Sequence, residues 1–210
     1  MERVPFITFE GIEGAGKTTL VAFLAEWLQA QGISVLTTRE PGGSPIGGYL
    51  RELILHHPVH PRAELFLFLA ERAQHVSQVI HPALEAGQWV LCDRYTDSTL
   101  AYQGYGRGAD LATLRLLNQI ATEGLEPDLT VLIDLPVEVA LSRASDPNRF
   151  EHEPQEFHER VRQGYLQESR QFPRRYVVLD GTQPLPDLQE ALRQVIVERW
   201  GERLRVGIDR

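Results

Sequence analysis

Lys17 is the only lysine in this 210-residue chain, and every other basic side chain is an arginine. It lies in the segment Gly11-Ile12-Glu13-Gly14-Ala15-Gly16-Lys17-Thr18, which fits the pattern G-x-x-x-x-G-K-[ST]. In such a loop the backbone N–H groups surround phosphate oxygens, and the lysine contacts the β- and γ-phosphates as a compact charge. The pattern therefore predicts a nucleotide-phosphate site with Lys17 as a catalytic residue. The predicted binding residues are Gly11, Ile12, Glu13, Gly14, Ala15, Gly16, Lys17, Thr18 and Thr19.

Two residues are candidate magnesium ligands. Thr18 supplies the hydroxyl that binds Mg²⁺ in loops of this pattern. Asp93 ends the apolar string Trp89-Val90-Leu91-Cys92, and an acid at the end of a strand near a phosphate loop holds the same metal in many such sites. Glu13 is less expected, because a carboxylate repels phosphates. It either faces the metal or an acceptor hydroxyl, or it is a solvated loop acid.

Further side chains are candidates for binding a second substrate. Phe68 and Arg72 are four residues apart on one helix face, where they could sandwich a flat base. The alternative is a core phenylalanine beside a solvated arginine. Arg39 lies in a turn over residues 38–43 that is equally compatible with a plain Gly-Pro turn, and Arg51 lies on the helix beyond. A later segment rich in hydrogen-bonding groups contains Ser98, Tyr102 and Gln103.

Arg143 and Arg149 flank a Pro-Asn turn that we expect to be exposed and mobile. One interpretation is a solvated surface loop. The other is a short lid, at about residues 143–154, that closes arginines over the transferring phosphoryl group, whose equatorial oxygens carry the charge.

Apolar strings separated by helical patterns predict an α/β fold. Strands are expected at residues 6–9, 33–36, 89–92, 129–133 and 176–179. Helices are expected at residues 18–31, 62–86, 110–123, 137–144, 155–172 and 185–200, with Pro82 interrupting the second. This alternation predicts a five-stranded parallel sheet with helices on both faces, and a ligand at the carboxyl ends of its strands.

The bulk composition restricts the function classes. A length of 210 residues fits one domain, residues 1–210, and a formal net charge of −8 argues against general nucleic-acid binding. Cys92 is the only cysteine, which excludes an intramolecular disulfide. The first residues lack a signal-peptide pattern, and the longest apolar run, residues 65–70, is too short to span a bilayer. We therefore expect a cytoplasmic protein with no membrane partner.

The chain resembles the bacterial thymidylate kinases (dTMP kinases). The phosphate loop alone indicates only a nucleotide-binding superfamily, but four further segments match along nearly the whole chain. These are Thr38-Arg39-Glu40-Pro41-Gly42-Gly43, Ala70-Glu71-Arg72-Ala73-Gln74-His75, Asp93-Arg94-Tyr95 and Ser98-Thr99-Leu100-Ala101-Tyr102-Gln103-Gly104. The resemblance implies a P-loop NTPase fold and a homodimer that packs through long helices. It also implies transfer of the γ-phosphoryl of ATP to dTMP, giving dTDP and ADP for dTTP biosynthesis, with Mg²⁺.

The resemblance also implies a role for individual residues. Phe68 resembles the side chain that stacks on thymine, Arg72 and Gln103 resemble its hydrogen-bonding partners, and Ser98 lies close by. Tyr102 resembles the ring beneath the deoxyribose that leaves no room for a 2′-hydroxyl. The implied ligands of the acceptor phosphate are Arg51 and Arg94, with Arg39 as a weaker candidate, and the implied acids near Mg²⁺ and the acceptor are Asp93 and Glu13.

The sequence departs from the family pattern in the lid. Relatives whose phosphate loop lacks an arginine carry several arginines in a longer lid, whereas this lid retains only Arg143 and Arg149. We expect Arg149 to stabilise the transition state and Arg143 to be the second candidate; Arg143 could instead stack on adenine. A kinase of the same fold that phosphorylates a deoxynucleoside or another nucleoside monophosphate is the alternative function. A guanine-nucleotide switch would need an Asn-Lys-x-Asp motif, which the chain lacks.

Overall fold

The computed structural model describes residues 3–143 and 148–206, so part of the predicted lid lies outside the described residues. Five strands form one parallel sheet in the order β2-β3-β1-β4-β5. The strands are β1 (Phe6–Glu10), β2 (Val35–Arg39), β3 (Trp89–Asp93), β4 (Leu129–Asp134) and β5 (Tyr176–Asp180). The predicted α/β fold is confirmed, and each strand boundary lies within about two or three residues of its prediction, the error expected of sequence reasoning.

Helices connect the strands. They are α1 (Lys17–Ala30), α2 (Gly47–His56), α3 (Pro61–His75), α4 (His81–Glu85), α5 (Thr96–Thr99), α6 (Leu111–Thr122), α7 (Val137–Arg143), α8 (Gln155–Gln171) and α9 (Leu185–Val206). Two π-helical segments, Val76–Ile80 and Leu100–Gly106, follow α3 and α5 directly. Among the described residues, no helix is long and apolar enough to cross a membrane.

Successive side chains of the central strands pack into two different apolar clusters. Ile7 and Phe9 of β1 pack in the larger cluster with Leu20, Leu24 and other residues of α1. Phe6 points the other way, into a smaller cluster with Val76 and Ile80 of the first π-helical segment. Because a strand places successive side chains on opposite faces, both faces of the sheet are covered, which explains the nearly continuous apolar strands.

The helical run through residues 61–85 differs from the prediction at Pro82. The proline does not break the run, because the π-helical segment Val76–Ile80 precedes it and leaves Pro82 as the second residue of α4. Pro82 has no N–H to donate to the preceding turn, and that turn belongs to the wider π-helical segment. The helical character of residues 96–106 was not predicted, since that segment has no regular apolar period.

The sheet order brings the predicted site together. β1 lies between β3 and β4. Asp93 at the end of β3 pairs with Phe9 of β1 on one side and with Arg39 of β2 on the other. Gly11 turns out of β1 with a φ of 143°, and a Cβ there would lie 2.7 Å from the carbonyl oxygen of Ile133. Only glycine fits this close approach, so the phosphate loop begins beside β3 and β4.

Candidate active site

A cavity of about 350 Å³ opens at the carboxyl ends of β1, β2 and β3. It contains most of the residues predicted from the sequence. Those that line it are Glu13, Gly14, Lys17, Thr18, Arg39, Arg51, Phe68, Arg72, Asp93, Arg94, Ser98, Tyr102, Gln103 and Arg143. Of the remaining predicted residues, Gly11, Ile12, Ala15, Gly16 and Thr19 belong to the phosphate loop without lining the cavity, and Arg149 lies elsewhere.

The phosphate loop is preorganised around Lys17. Gly16 has a φ of 91° and precedes α1, whose N-terminal N–H groups and dipole favour an anion. The Lys17 ammonium donates to the carbonyl oxygens of Gly11 at 3.0 Å and Ile12 at 2.8 Å. Burial, assisted by Arg94, lowers the pKa of Lys17 to about 8. A bound phosphate would raise the pKa of Lys17 again, because it adds negative charge beside the ammonium.

Thr18 and Asp93 meet at the rim of the loop. The Thr18 hydroxyl donates to the Asp93 carboxylate at 2.6 Å, across the boundary between α1 and β3. A hydroxyl and a carboxylate are hard oxygen ligands of the kind that Mg²⁺ takes beside substrate phosphates. The donor chemistry at this point therefore fits the predicted metal.

Arg94 connects the loop to three other elements. Its φ of 71° is unusual for a non-glycine residue and directs the side chain back toward the phosphate loop. The guanidinium donates five hydrogen bonds: to the Gly11 carbonyl, to the hydroxyls of Ser98, Tyr165 and Tyr102, and to the Glu13 carboxylate. Arg94 is thus held at the cavity wall before any ligand binds.

Glu13 faces the cavity and is not a solvated loop acid. The Tyr102 hydroxyl lies 2.7 Å from both of its carboxylate oxygens, and Arg94 donates to it at 3.0 Å. Burial alone would raise the pKa of Glu13, but Arg94 and Lys17 lower it, so the carboxylate is charged. This arrangement fixes the orientation of the Tyr102 ring in the cavity.

Three aromatic rings that contact one another also line the cavity. Phe68 lies 6.2 Å from Phe150 between ring centroids, and Phe150 meets Tyr102 edge-on at 5.7 Å. Phe150 is buried and was not singled out from the sequence, because its segment has no apolar period around it. The rings are not coplanar, so a planar base can stack on the face of one of them while the others pack around it.

Arg72 is buried, so the alternative interpretation, in which it is a solvated arginine, is wrong. It donates to Glu40, Thr99, Asn118 and the Tyr95 carbonyl. A guanidinium has five N–H groups, so these four bonds leave one N–H, on Nη2, for a ligand. The side chain lines the cavity.

Two buried acids hold the turn that carries Arg39. Glu40 pairs with Arg72 at 2.7 Å and with His75 at 2.9 Å. Burial would raise the pKa of Glu40, but Arg72 lowers it. Glu71 accepts from the Ser44 amide at 3.1 Å, which ties the turn to α3. Glu40, Glu71 and His75 have ligand atoms within 4.8 Å of one another, but the Arg72 guanidinium already supplies the positive charge there.

Arg39 and Arg51 reach the cavity from neighbouring elements. Arg39 is the exposed last residue of β2, and Arg51 on α2 donates to the Pro41 carbonyl at 2.8 Å. The turn and α2 therefore hold each other, which a plain Gly-Pro turn would not require.

The two predicted lid arginines lie in different places. Arg143, at the end of α7, lines the cavity and donates to the Gly181 carbonyl at 3.1 Å. Arg149 does not line it: its guanidinium pairs with buried Glu64 at 2.7 Å and donates to the Ile54 carbonyl. The structure therefore does not bring Arg149 over the phosphate loop as predicted, because a buried carboxylate on α3 holds it.

Glu10 and Tyr165 were missed by sequence reasoning. Glu10 is fully buried and accepts from Ser98 at 2.6 Å, from Tyr165 at 2.9 Å and from the Tyr95 amide at 2.8 Å. Ser98 and Tyr165 in turn contact Arg94. Glu10 is an acid at the end of a buried strand, so the rule that identified Asp93 applies to it equally; nothing in the sequence indicates Tyr165.

The sequence model described as thymidylate kinase matches residues 9–192 of this chain. The chain belongs to the thymidylate kinase family. A thymidylate kinase from Desulfovibrio desulfuricans is 54% identical over 97% of this chain and 100% of its own length. One from Geotalea uraniireducens is 48% identical over 94% of this chain and 98% of its own length.

A solved structure agrees with this assignment. The crystal structure of thymidylate kinase from Ehrlichia chaffeensis superposes with a TM-score of 0.77 at 32% identity. It covers 93% of this chain and 100% of the other. The P-loop NTPase fold expected of the thymidylate kinase family is therefore confirmed.

The buried Glu10 in this thymidylate kinase family member should make stability depend on pH. Burial, and then the nearby Asp97, raise the pKa of Glu10 to about 7. The folded state therefore holds a proton that the unfolded state releases, and stability falls as pH rises from about 4.5 to about 7. Between about pH 5 and about pH 8, the free energy of unfolding of the wild-type chain should fall by roughly 2 kcal/mol more than that of Glu10→Gln, because the variant has no carboxyl group to titrate. Urea unfolding of both proteins at the two pH values measures this difference. An equal change in the free energy of unfolding in the two proteins would contradict the prediction.

Proposed function

We propose that this member of the thymidylate kinase family transfers the γ-phosphoryl group of ATP to the 5′-phosphate of dTMP, giving dTDP and ADP. One observation carries the proposal. A phosphate loop, a second set of arginines and a group of aromatic rings open into the same cavity. A site for one nucleotide alone has no use for two groups of phosphate-binding side chains.

The donor end is formed by the phosphate loop. Backbone N–H groups of residues 14–19 would surround the β- and γ-phosphates, with the Lys17 ammonium between them. Lys17 now bonds to two loop carbonyls, so the ammonium needs only a small movement to reach a phosphate oxygen. In phosphoryl transfer such positioning and charge neutralisation supply most of the catalysis.

Thr18 and Asp93 are the residues that would hold Mg²⁺. When bound, the metal neutralises charge on the phosphates that the loop has positioned. The two side chains come from different elements and already meet through their oxygens, so no rearrangement of the backbone is needed.

The acceptor end is formed by arginines. Arg94 and Arg51 would hold the 5′-phosphate of dTMP, with Arg39 at the exposed side. Arg94 is already oriented by Glu13 and Tyr102, so little side-chain entropy is lost when the phosphate binds. The Glu13 carboxylate compensates the charge of Arg94 in the absence of the anion.

The base would stack on Phe68, with Phe150 behind it. The remaining N–H of Arg72 can donate to the O4 oxygen of thymine, and Gln103 can bind its N3–H. Tyr102 is held by Glu13 and packed against Phe150, so it cannot move aside for a 2′-hydroxyl. These contacts support a deoxyribonucleotide with a thymine base.

A panel of acceptors tests the proposed function. ADP release should be fastest with dTMP, slower with dUMP, and least with UMP and thymidine, since thymidine offers no phosphate to Arg51 and Arg94. In Arg51→Ala, KM for dTMP should rise at least ~10-fold with little change in KM for ATP. Faster turnover of thymidine than of dTMP would overturn the proposal in favour of a deoxynucleoside kinase.

Of the two lid arginines, Arg143 lines the cavity that contains Lys17, so we propose that it contacts the transferring phosphoryl group. Arg143→Gln should lower kcat by ~10²-fold or more with a smaller effect on KM, because arginines on a transferring phosphoryl group are worth ~10³–10⁵ in rate. Arg149→Gln should lower stability instead, since it leaves the Glu64 carboxylate short of a partner. Arg170→Gln on the exposed surface of α8 is the matched control. Steady-state kinetics and urea unfolding separate the effects, and the assignment fails if Arg149→Gln alone lowers kcat.

A second copy of this chain would pack on the surface formed by α3 and α6. These helices contact each other and expose Phe66, Leu116 and Ile120, which are 57%, 56% and 66% exposed. A pair of large apolar residues one helical turn apart on α6 is an unusual surface for a monomer. The dimer remains a prediction from the resemblance, and the cytoplasmic location remains a prediction from the sequence pattern.

Ile120→Glu should convert the dimer to a monomer, because it places a charge in the apolar contact. Analytical ultracentrifugation of this variant against Val197→Glu provides the matched comparison, since Val197 is exposed on α9, away from that surface. A dimer that persists in Ile120→Glu and is lost in Val197→Glu would move the interface elsewhere.

A further inference from the structure

Glu64 is a fully buried acid in the first turn of α3 that the proposed reaction does not use. Three side chains from other parts of the chain converge on it. Gln103 donates Nε2 to its Oε1 at 2.7 Å, Arg107 donates to both oxygens at 3.1 and 3.2 Å, and Arg149 pairs with its Oε2 at 2.7 Å. Two guanidinium groups compensate its charge, as a buried carboxylate requires.

The carboxylate decides which way the Gln103 amide points. An ionised carboxylate only accepts hydrogen bonds, so the amide must turn its NH₂ group toward Glu64. Its carbonyl oxygen, Oε1, is then directed away from Glu64, and no described residue donates a hydrogen bond to it. Since Gln103 lines the cavity beside Phe68 and Arg72, that oxygen is available to a bound base.

We propose that Glu64 is a positioning residue that selects bases with a hydrogen-bond donor at N3. The inference rests on the proposed function, in which the base binds beside Gln103. Thymine and uracil carry an N–H at N3 and suit the carbonyl oxygen, whereas cytosine carries an unprotonated nitrogen there and meets a second acceptor. Two acceptors face to face leave a buried polar group unsatisfied, which is the kind of mismatch that rejects a ligand strongly.

The other partners of Glu64 make the selection robust. Arg107 contacts both carboxylate oxygens and Arg149 contacts Oε2, so together they hold the carboxylate plane in place while Oε1 accepts from Gln103. The Gln103 backbone is also held, because its carbonyl accepts from the Ala109 amide at 3.0 Å. The Glu64 carboxylate and the Gln103 backbone are therefore both held in place, and the Gln103 amide is oriented by the carboxylate that it faces.

Glu64→Gln tests this directly. Oε2 faces two guanidinium groups, whereas Oε1 faces one guanidinium and the Gln103 amide. The single oxygen of the new amide should therefore take the Oε2 position, and its NH₂ should face Gln103. The Gln103 amide would then reverse and present N–H to the base. We expect the ratio of kcat/KM for dTMP over dCMP to fall at least ~10-fold, which is the effect of about 1.4 kcal/mol. KM for ATP should stay unchanged, because the donor end does not contact Glu64.

Arg107→Gln is the matched control, since it removes a Glu64 partner without altering the acceptor that Gln103 needs. It should keep the wild-type preference for dTMP over dCMP. A loss of preference in both variants would indicate general loosening and overturn the inference. So would an unchanged preference in Glu64→Gln.

A double-variant cycle covers the case in which Glu64→Gln is unstable. In a Gln103→Leu background, Glu64→Gln should have no further effect on the dTMP over dCMP ratio, because no amide remains to reverse. Urea unfolding of each variant reports stability separately. If the wild-type chain phosphorylates no nucleoside monophosphate, the proposed function fails; if it phosphorylates dTMP and the cycle shows no coupling, only the Glu64 inference fails.

Discussion

The site depends on one constraint: phosphate-binding cations must be held in place while no phosphate is present. Arg94 meets it with five hydrogen bonds that join the phosphate loop, Ser98 on α5 and Tyr165 on α8. A chain with a net charge of −8 can hold such a cation because buried acids lie around it. Glu13 contacts it directly, and Glu10 acts through Ser98 and Tyr165.

The same arrangement recurs away from the phosphates. Arg72 is paired with Glu40, Arg107 with Glu64 and Arg175 with Asp97, and in each pair the acid is buried. Breaking such a pair is costly, because it leaves one uncompensated charge in the interior. The result is rigidity: side chains that line the cavity are oriented before a ligand arrives, which lowers the entropy lost on binding.

Sequence reasoning identified the parts of the site that act through local geometry. Lys17, Thr18 and Asp93 follow from strand ends and a loop pattern, and the structure brings them to one cavity. It did not find Glu10, Glu64 or Tyr165, whose importance comes from partners far away in the chain; Glu10 and Tyr165 are 155 residues apart. Arg149 shows the same limit of sequence reasoning. Its segment is typical of an exposed loop, and the sequence does not reveal the acid that pairs with it.

By itself the sequence determined the order of strands and helices, the phosphate loop and the family to which the chain belongs. These depend on short-range patterns: apolar periods, glycine positions and motif spacing. The tertiary structure alone decided which charges pair. It showed that Arg143 reaches the cavity while Arg149 is held by Glu64, and that Gln103 turns its NH₂ away from the cavity. The physical reason is that a buried charge or amide is oriented by its nearest partner in space, and sequence distance does not reveal that partner.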